Sequence, residues 1–115
     1  MPKVLLAEDD PMMVSLLKTL LKLEGYEVDT LLDKPGNYLQ TILNIKPDAI
    51  LVDVYLGETN GVELVREMRR QPDLESMKII MASGSPREEE CMAAGANAFL
   101  LKPYMPDDLI KTLRA

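Results

Sequence analysis

The sequence predicts an α/β domain: five strand–helix pairs building a doubly wound parallel sheet with helices on both faces. Three observations predict it. Five short runs rich in apolar and β-branched residues, at 3–7, 27–32, 49–52, 77–82 and 97–101, are each too short for a helix. Segments with apolar residues at helical spacing lie between them, and alternation of this kind builds parallel sheets with right-handed crossovers. The run at 49–52 is apolar along its whole length and that at 77–82 nearly so, as strands buried on both faces are. At 115 residues the chain is one domain spanning 1–115.

The first strand, 3–7, is followed by three acids, Glu8, Asp9 and Asp10, and then by Pro11. Asp10 is a good N-cap with proline at the first helical position. Met13, Leu16, Leu17, Leu20 and Leu21 give the helical stripe, and Gly25 stops it. Residues 27–32 form the second strand and 33–37 a turn with Pro35 and Gly36. Tyr38, Leu39, Ile42 and Leu43 mark a weaker helix ending before Pro47. The third strand, 49–52, carries Asp53 at its carboxyl end. A turn rich in Gly, Thr and Asn follows, and Asn60 caps a helix with Val62, Leu64, Val65 and Met68 on its apolar face. Arg66, Arg69 and Arg70 suit that helix's C-terminal end, and 71–76 is a polar loop.

Ser83 ends the fourth strand, 77–82. Ser85-Pro86-Arg87-Glu88 then reads as a capping box opening a short helix closed by Gly95. The fifth strand, 97–101, contains Phe99 and ends at Lys102 and Pro103. Pro106, Asp107 and Asp108 open a last helix carrying Leu109, Ile110 and Leu113. It runs little more than two turns before Ala115.

Composition removes several function classes. The net charge of −6 argues against a nucleic-acid-binding face. No apolar run approaches bilayer length, and Met-Pro-Lys leads straight into a strand without a signal-peptide layout, so no membrane partner is expected. Cys91 is the one cysteine, so no internal disulfide forms, which fits a cytoplasmic protein. The chain has no histidine. Serine–histidine and cysteine–histidine hydrolase sites and histidine-bound zinc are therefore excluded.

In a parallel sheet all carboxyl ends point one way, and ligands bind just outside them. Glu8 and Asp9 stand at the end of strand one, Asp53 at strand three, Ser83 at strand four and Lys102 at strand five. Each has a structural explanation alone: an acidic turn, a strand-ending aspartate, a turn serine, a surface lysine. Together they form a site. Three carboxylates brought close are unfavourable unless a hard divalent cation such as Mg²⁺ joins them, with Mn²⁺ as a substitute. Lys102 and Ser83 would then position a phosphoryl group, and Asp53 is a carboxylate able to form an acyl phosphate.

These residues, at this order and spacing, resemble a response-regulator receiver domain over essentially the whole chain. The carrying positions are Glu8-Asp9-Asp10, Asp53 with Gly61 eight residues on, Ser83, and Lys102-Pro103. The resemblance implies a flavodoxin-like sheet of strand order 2-1-3-4-5 and a cis bond before Pro103. It implies that Asp53 accepts a phosphoryl group from the phosphohistidine of a histidine kinase or histidine phosphotransfer protein. It implies Mg²⁺ held by Asp9, Asp53 and the Tyr55 backbone carbonyl, with Glu8 acting through a water. Lys102 would pair with the phosphoryl group and Ser83 hydrogen-bond it, and Phe99 would turn inward as Ser83 moves. With no histidine of its own, the chain needs a separate phosphodonor chain or domain.

Three departures from the family pattern stand out. Gly57 replaces a usual proline, which allows a more mobile loop. The segment from Ser83 to Lys102 is short by nearly one helical turn, which puts in doubt the helix-four surface used for dimers or output. The last helix is also short, as in a clipped form or a receiver cut from a longer protein. The output domain or target protein is not legible, and a homodimer stays open. Tyr55 and Ser85, two residues beyond Asp53 and Ser83, flank the site and tune how long the phosphorylated state lasts; capping work should hold Ser85 away from the phosphate. Competing readings are weaker. A flavin domain needs a hydroxyl-rich loop where the three acids stand, and a haloacid-dehalogenase-type phosphatase needs an acid where Tyr55 stands. The remaining alternative is a pseudo-receiver, an interaction module that works without phosphorylation.

Overall fold

In the computed structural model, which describes residues 1–115, the chain begins with β1 (Lys3–Ala7), α1 (Pro11–Leu23), β2 (Glu27–Thr30), α2 (Tyr38–Ile45) and β3 (Ala49–Asp53). It continues through β4 (Tyr55–Leu56), β5 (Thr59–Asn60), α3 (Gly61–Arg69) and β6 (Lys78–Ser83), and closes with α4 (Glu88–Ala94), β7 (Ala98–Leu101) and α5 (Pro106–Arg114). Five strands form one sheet in the order β2-β1-β3-β6-β7, and every neighbouring pair is parallel. Numbered among themselves, those strands have the order 2-1-3-4-5.

The period-two alternation of each strand divides the core into two layers. Leu5, Ile50, Val52, Ile79 and Met81 pack with Ile42, Val62, Val65, Met68 and Cys91 under α2, α3 and α4. Val4, Leu6, Leu51, Ile80 and Ala82 pack with Leu17, Leu21, Leu109 and Ile110 under α1 and α5. Consecutive residues of β3 and β6 thus serve opposite faces, which is why both strands read as nearly unbroken apolar runs. No helix is long and apolar enough to cross a membrane.

The caps follow the side-chain chemistry. Asp10 accepts from the Met12 and Met13 amides, and Asn60 from those of Val62 and Glu63. Asn37 caps α2 by accepting from the Gln40 amide. Several details differ from the sequence reading. Leu16 is exposed, since it sits about 100° around α1 from the buried Leu17. β2 stops at Thr30 because the chain turns there: the Lys34 amide donates to the Leu31 carbonyl and Lys34 Nζ pairs with Asp29 at 2.7 Å. The turn after Asp53 contains a small antiparallel hairpin, with Tyr55 opposite Asn60 and Leu56 opposite Thr59. Strands of two residues leave no periodicity to read.

The capping box at Ser85 does not form. α4 starts at Glu88 after Arg87, with no side-chain cap. Ser85 is occupied elsewhere: its amide donates to Ser83 Oγ at 3.1 Å, and the two hydroxyls lie 3.2 Å apart. Arg69 does more than face the end of α3. Its guanidinium donates to the Gly95 and Leu74 carbonyls and to Asn97 Oδ1, tying α3 to the chain on both sides of β6.

Candidate functional site

Four strand ends meet at one edge of the sheet. β1 delivers Glu8, which is turned inward and buried, and Asp9, which is exposed. β3 ends in Asp53, only 3% exposed. β6 ends in the buried Ser83, one residue past Ala82, the register partner of Asp53. β7 leads into Lys102, whose amide donates to the Ser83 carbonyl at 2.8 Å. The bond from Lys102 to Pro103 is cis.

Lys102 is the centre of this group. Its Nζ donates to Asp53 Oδ2 at 2.8 Å and to Glu8 Oε1 at 2.9 Å. The other Glu8 oxygen accepts the Asp10 amide at 3.1 Å. The other Asp53 oxygen, Oδ1, is buried with no hydrogen-bond partner. Burial, with Glu8 alongside, pushes the Asp53 carboxyl up to about 8, and Lys102 only partly offsets this. Burial works against the Glu8 charge too, but the neighbouring Asp53 carboxyl, Lys102 and the Asp10 amide hold Glu8 below its ordinary value. The two neighbouring carboxyl groups are thus pushed apart, Asp53 upward and Glu8 downward. Although burial disfavours its charge, Lys102 is held above its usual range by these two carboxyl groups.

A carboxylate oxygen from each of Glu8, Asp9 and Asp53 lies within 4.8 Å of the others. Three hard oxygen donors, one of them buried and unpartnered, fit a divalent cation of the Mg²⁺ or Mn²⁺ kind. Asp9 is already held in place: its Oδ2 accepts the Gly57 amide at 3.2 Å. Gly57 adopts φ 58, in the left-handed region, and a Cβ there would meet open space. Glycine's freedom is thus used to aim an N–H at Asp9, which proline could not supply. Gly57→Ala is expected to cost about 1 kcal/mol in urea unfolding, all of it conformational because nothing clashes. A neutral result would show that the loop simply rearranges.

Gly61 has the opposite reason for being glycine. A Cβ at Gly61 would lie 2.0 Å from the Asp53 carbonyl oxygen, and its amide donates to the Val54 carbonyl at 2.7 Å. The first turn of α3 therefore rests directly on the backbone of Asp53.

The flanking residues are placed as follows. Phe99 is half-buried against the core layer under α2, α3 and α4. Ser85 lies against Ser83 rather than away from the site, which reverses the capping expectation. Tyr55 is exposed, and its ring lies against Arg87, whose Cζ is 5.4 Å from the ring centroid. Two residues went unnoticed in the sequence. Arg87 also pairs with Glu90. Tyr104, two residues past Lys102, buries its hydroxyl without a partner. Burial and the Glu8 and Asp53 charges push that hydroxyl's pKa up. A buried tyrosine next to a strand-ending lysine was the available signal for Tyr104; Arg87 had none.

Comparison with known proteins places this geometry. Residues 4–114 match the family model of the response regulator receiver domain. The chain is 34% identical over 120 residues to the phosphate regulon transcriptional regulatory protein PhoB of Rhizobium meliloti, covering 100% of this chain and 52% of that protein. The chain thus spans about half the length of that curated relative. Its fold superposes on chemotaxis protein CheY4 of Vibrio cholerae with a TM-score of 0.86 at 30% identity, covering 99% and 97% of the two chains. It is similar also to the receiver domain of a sensor histidine kinase from Pseudomonas aeruginosa, described with a magnesium ion coordinated in its active-site cleft. That likeness has a TM-score of 0.82 at 27% identity and covers 98% and 94% of the chains.

Proposed function

The chain belongs to the response regulator receiver domain family, and from that premise we propose that it is the phosphoacceptor of a two-component phosphorelay, with Asp53 as the phosphorylated residue. The observation that carries this reading is Lys102 bridging Asp53 and Glu8 while Asp53 Oδ1 is buried without a partner in a cluster that includes Asp9. Receiver domains of response regulators work with histidine kinases. The donor for this chain is the phosphohistidine of a kinase or phosphotransfer protein, since the chain has no histidine. Met12, two residues past Asp10, and Met105, three past Lys102, expose apolar side chains on segments that lead away from the site's strand ends, which suits a protein donor.

Asp9, Asp53 and the Tyr55 carbonyl would hold Mg²⁺, with Glu8 acting through a water. When bound, the ion supplies positive charge that lets Asp53 ionise and that offsets charge on the phosphoryl oxygens. The Asp53 carboxylate attacks phosphorus. A P–O bond forms, the P–N bond of phosphohistidine breaks, and its electron pair stays on the departing imidazole. Lys102 then pairs with a phosphoryl oxygen in place of the free carboxylate. Ser83 donates its hydroxyl to another, and Phe99 follows Ser83 inward, altering the surface read by an output domain, a target protein or a second copy. Tyr55 and Ser85 set the access of water.

Acetyl phosphate with Mg²⁺ should add one phosphoryl group, read by intact mass, and Asp53→Asn should remove that reactivity. Equal labelling of the variant would move the nucleophile elsewhere. A parent that takes no label would favour an interaction module that works without phosphorylation.

A further inference from the structure

Tyr55 and Arg87 meet across the rim of the site. Tyr55 follows Asp53 by two residues and Arg87 follows Ser83 by four, on the segments after β3 and β6, which are neighbours in the sheet. Their contact therefore joins the segment after Asp53 to the segment after Ser83, two of the residues that a phosphoryl group on Asp53 would touch. Arg87 engages the ring in two ways. Its guanidinium lies over the ring face, 5.4 Å from the centroid, and its Nη1 donates to the Tyr55 hydroxyl. Its Nη2 donates to both oxygens of Glu90, each at 3.0 Å, in the first turn of α4. The ring needs such a hold. Tyr55 is 58% exposed, so core packing does not fix it. Ser85, the other flanking residue, is drawn against Ser83 and is too small to fill the gap.

Resting on the phosphoacceptor reading, we propose that Arg87 is a positioning residue. Together with Glu90 it clamps the Tyr55 ring across the gap between the Asp53 and Ser83 segments, and so prolongs the phosphorylated state. In hydrolysis a water oxygen bonds to phosphorus while the P–O bond to Asp53 breaks. The carboxylate is restored, inorganic phosphate leaves, and the water's proton passes to the phosphate or to solvent. The clamp makes and breaks no bond in this step. It restricts the approach of water, and it ties that restriction to α4.

The test uses the full chain, phosphorylated with acetyl phosphate and Mg²⁺ and freed of donor by desalting, with the remaining label followed by intact mass. Arg87→Ala should speed loss of label about two- to five-fold, the size of an exposed cation–π contact. Arg87→Lys, which keeps a cation and a donor, should fall between Arg87→Ala and the parent. The decisive comparison is the Tyr55→Ala background, where Arg87→Ala should add nothing, because a residue acting through the ring has no effect once the ring is gone. Unchanged or slower loss in Arg87→Ala overturns the clamp, and so do effects that multiply in the double variant. A parent that takes no label overturns the phosphoacceptor reading and the clamp with it; a labelled parent with indifferent variants overturns the clamp alone.

Discussion

Lys102→Ala is expected to lower the stability of the metal-free protein by about 3 kcal/mol near pH 9, measured by urea unfolding in EDTA. The lysine faces two carboxyl groups whose side chains are 0% and 4% exposed, at 2.9 and 2.8 Å, while only 29% of its own side chain is exposed. Removing it leaves Glu8 and Asp53 facing each other without a cation. The variant can relieve this by holding a proton on one of the two carboxyl groups, so the cost should shrink toward pH 6 and grow as that proton leaves. Lys102 itself is held above its ordinary 10.5, so its contribution is present throughout the range below that value and is lost only above it. Lys102→Met, which keeps the aliphatic stem, separates lost charge from lost packing. Saturating Mg²⁺ should recover much of the loss by supplying another cation. If Lys102→Ala is as stable as the parent at pH 9 without metal, the bridge contributes nothing to holding the acids together.

Asp53→Asn should move stability the other way. The folded chain holds the Asp53 proton up to about pH 8, against an ordinary value of 3.8. The folded state thus binds more protons between those values than the unfolded chain does, and the stability of the metal-free parent falls as pH rises through them. Asparagine has no proton to lose. The two proteins should be close in stability at about pH 4 and below. Above about pH 8 the variant should be the more stable by several kcal/mol, with the margin growing between those values. On the proposed metal assignment, adding Mg²⁺ should narrow or reverse the gap, since the parent keeps the carboxylate that would bind the ion. A gap that does not change with pH would trace the gain to packing, and no gain would mean that Lys102 fully compensates Asp53.

What could be read from the sequence was whatever depends on neighbours along the chain. Ala49–Asp53 reads as a buried strand because its apolar run is unbroken, and Asp10 and Asn60 read as caps because they bond amides two and three residues on. Topology then carries Glu8, Asp53, Ser83 and Lys102 to one edge, since parallel strands share a direction. Ser85 failed for a local reason: it has the right spacing for a capping box, but its amide donates to the Ser83 hydroxyl two residues back. The other failures have the opposite cause. The Gly57 amide reaches Asp9 across 48 residues of sequence, and Arg87 reaches Tyr55 across 32. Such meetings depend on where two loops come to rest, and neither loop announces its partner.

The contact at Gly61 has a consequence for how this domain can vary. Position 61 bears no charge, nucleophile or hydrogen-bonding side chain, yet any substituent would press on the carbonyl of Asp53, 2.0 Å from where a Cβ would sit. The strain cannot be taken up by a flexible side chain, because the opposing atom belongs to the backbone. It must shift either the start of α3 or Asp53 itself. If Asp53 is the phosphoacceptor, position 61 should therefore behave like an active-site residue in a screen for loss of phosphorylation. The eight-residue interval from Asp53 to Gly61 is likewise a closed loop of fixed circumference, and an insertion or deletion within it would move Asp53 rather than merely lengthen a turn.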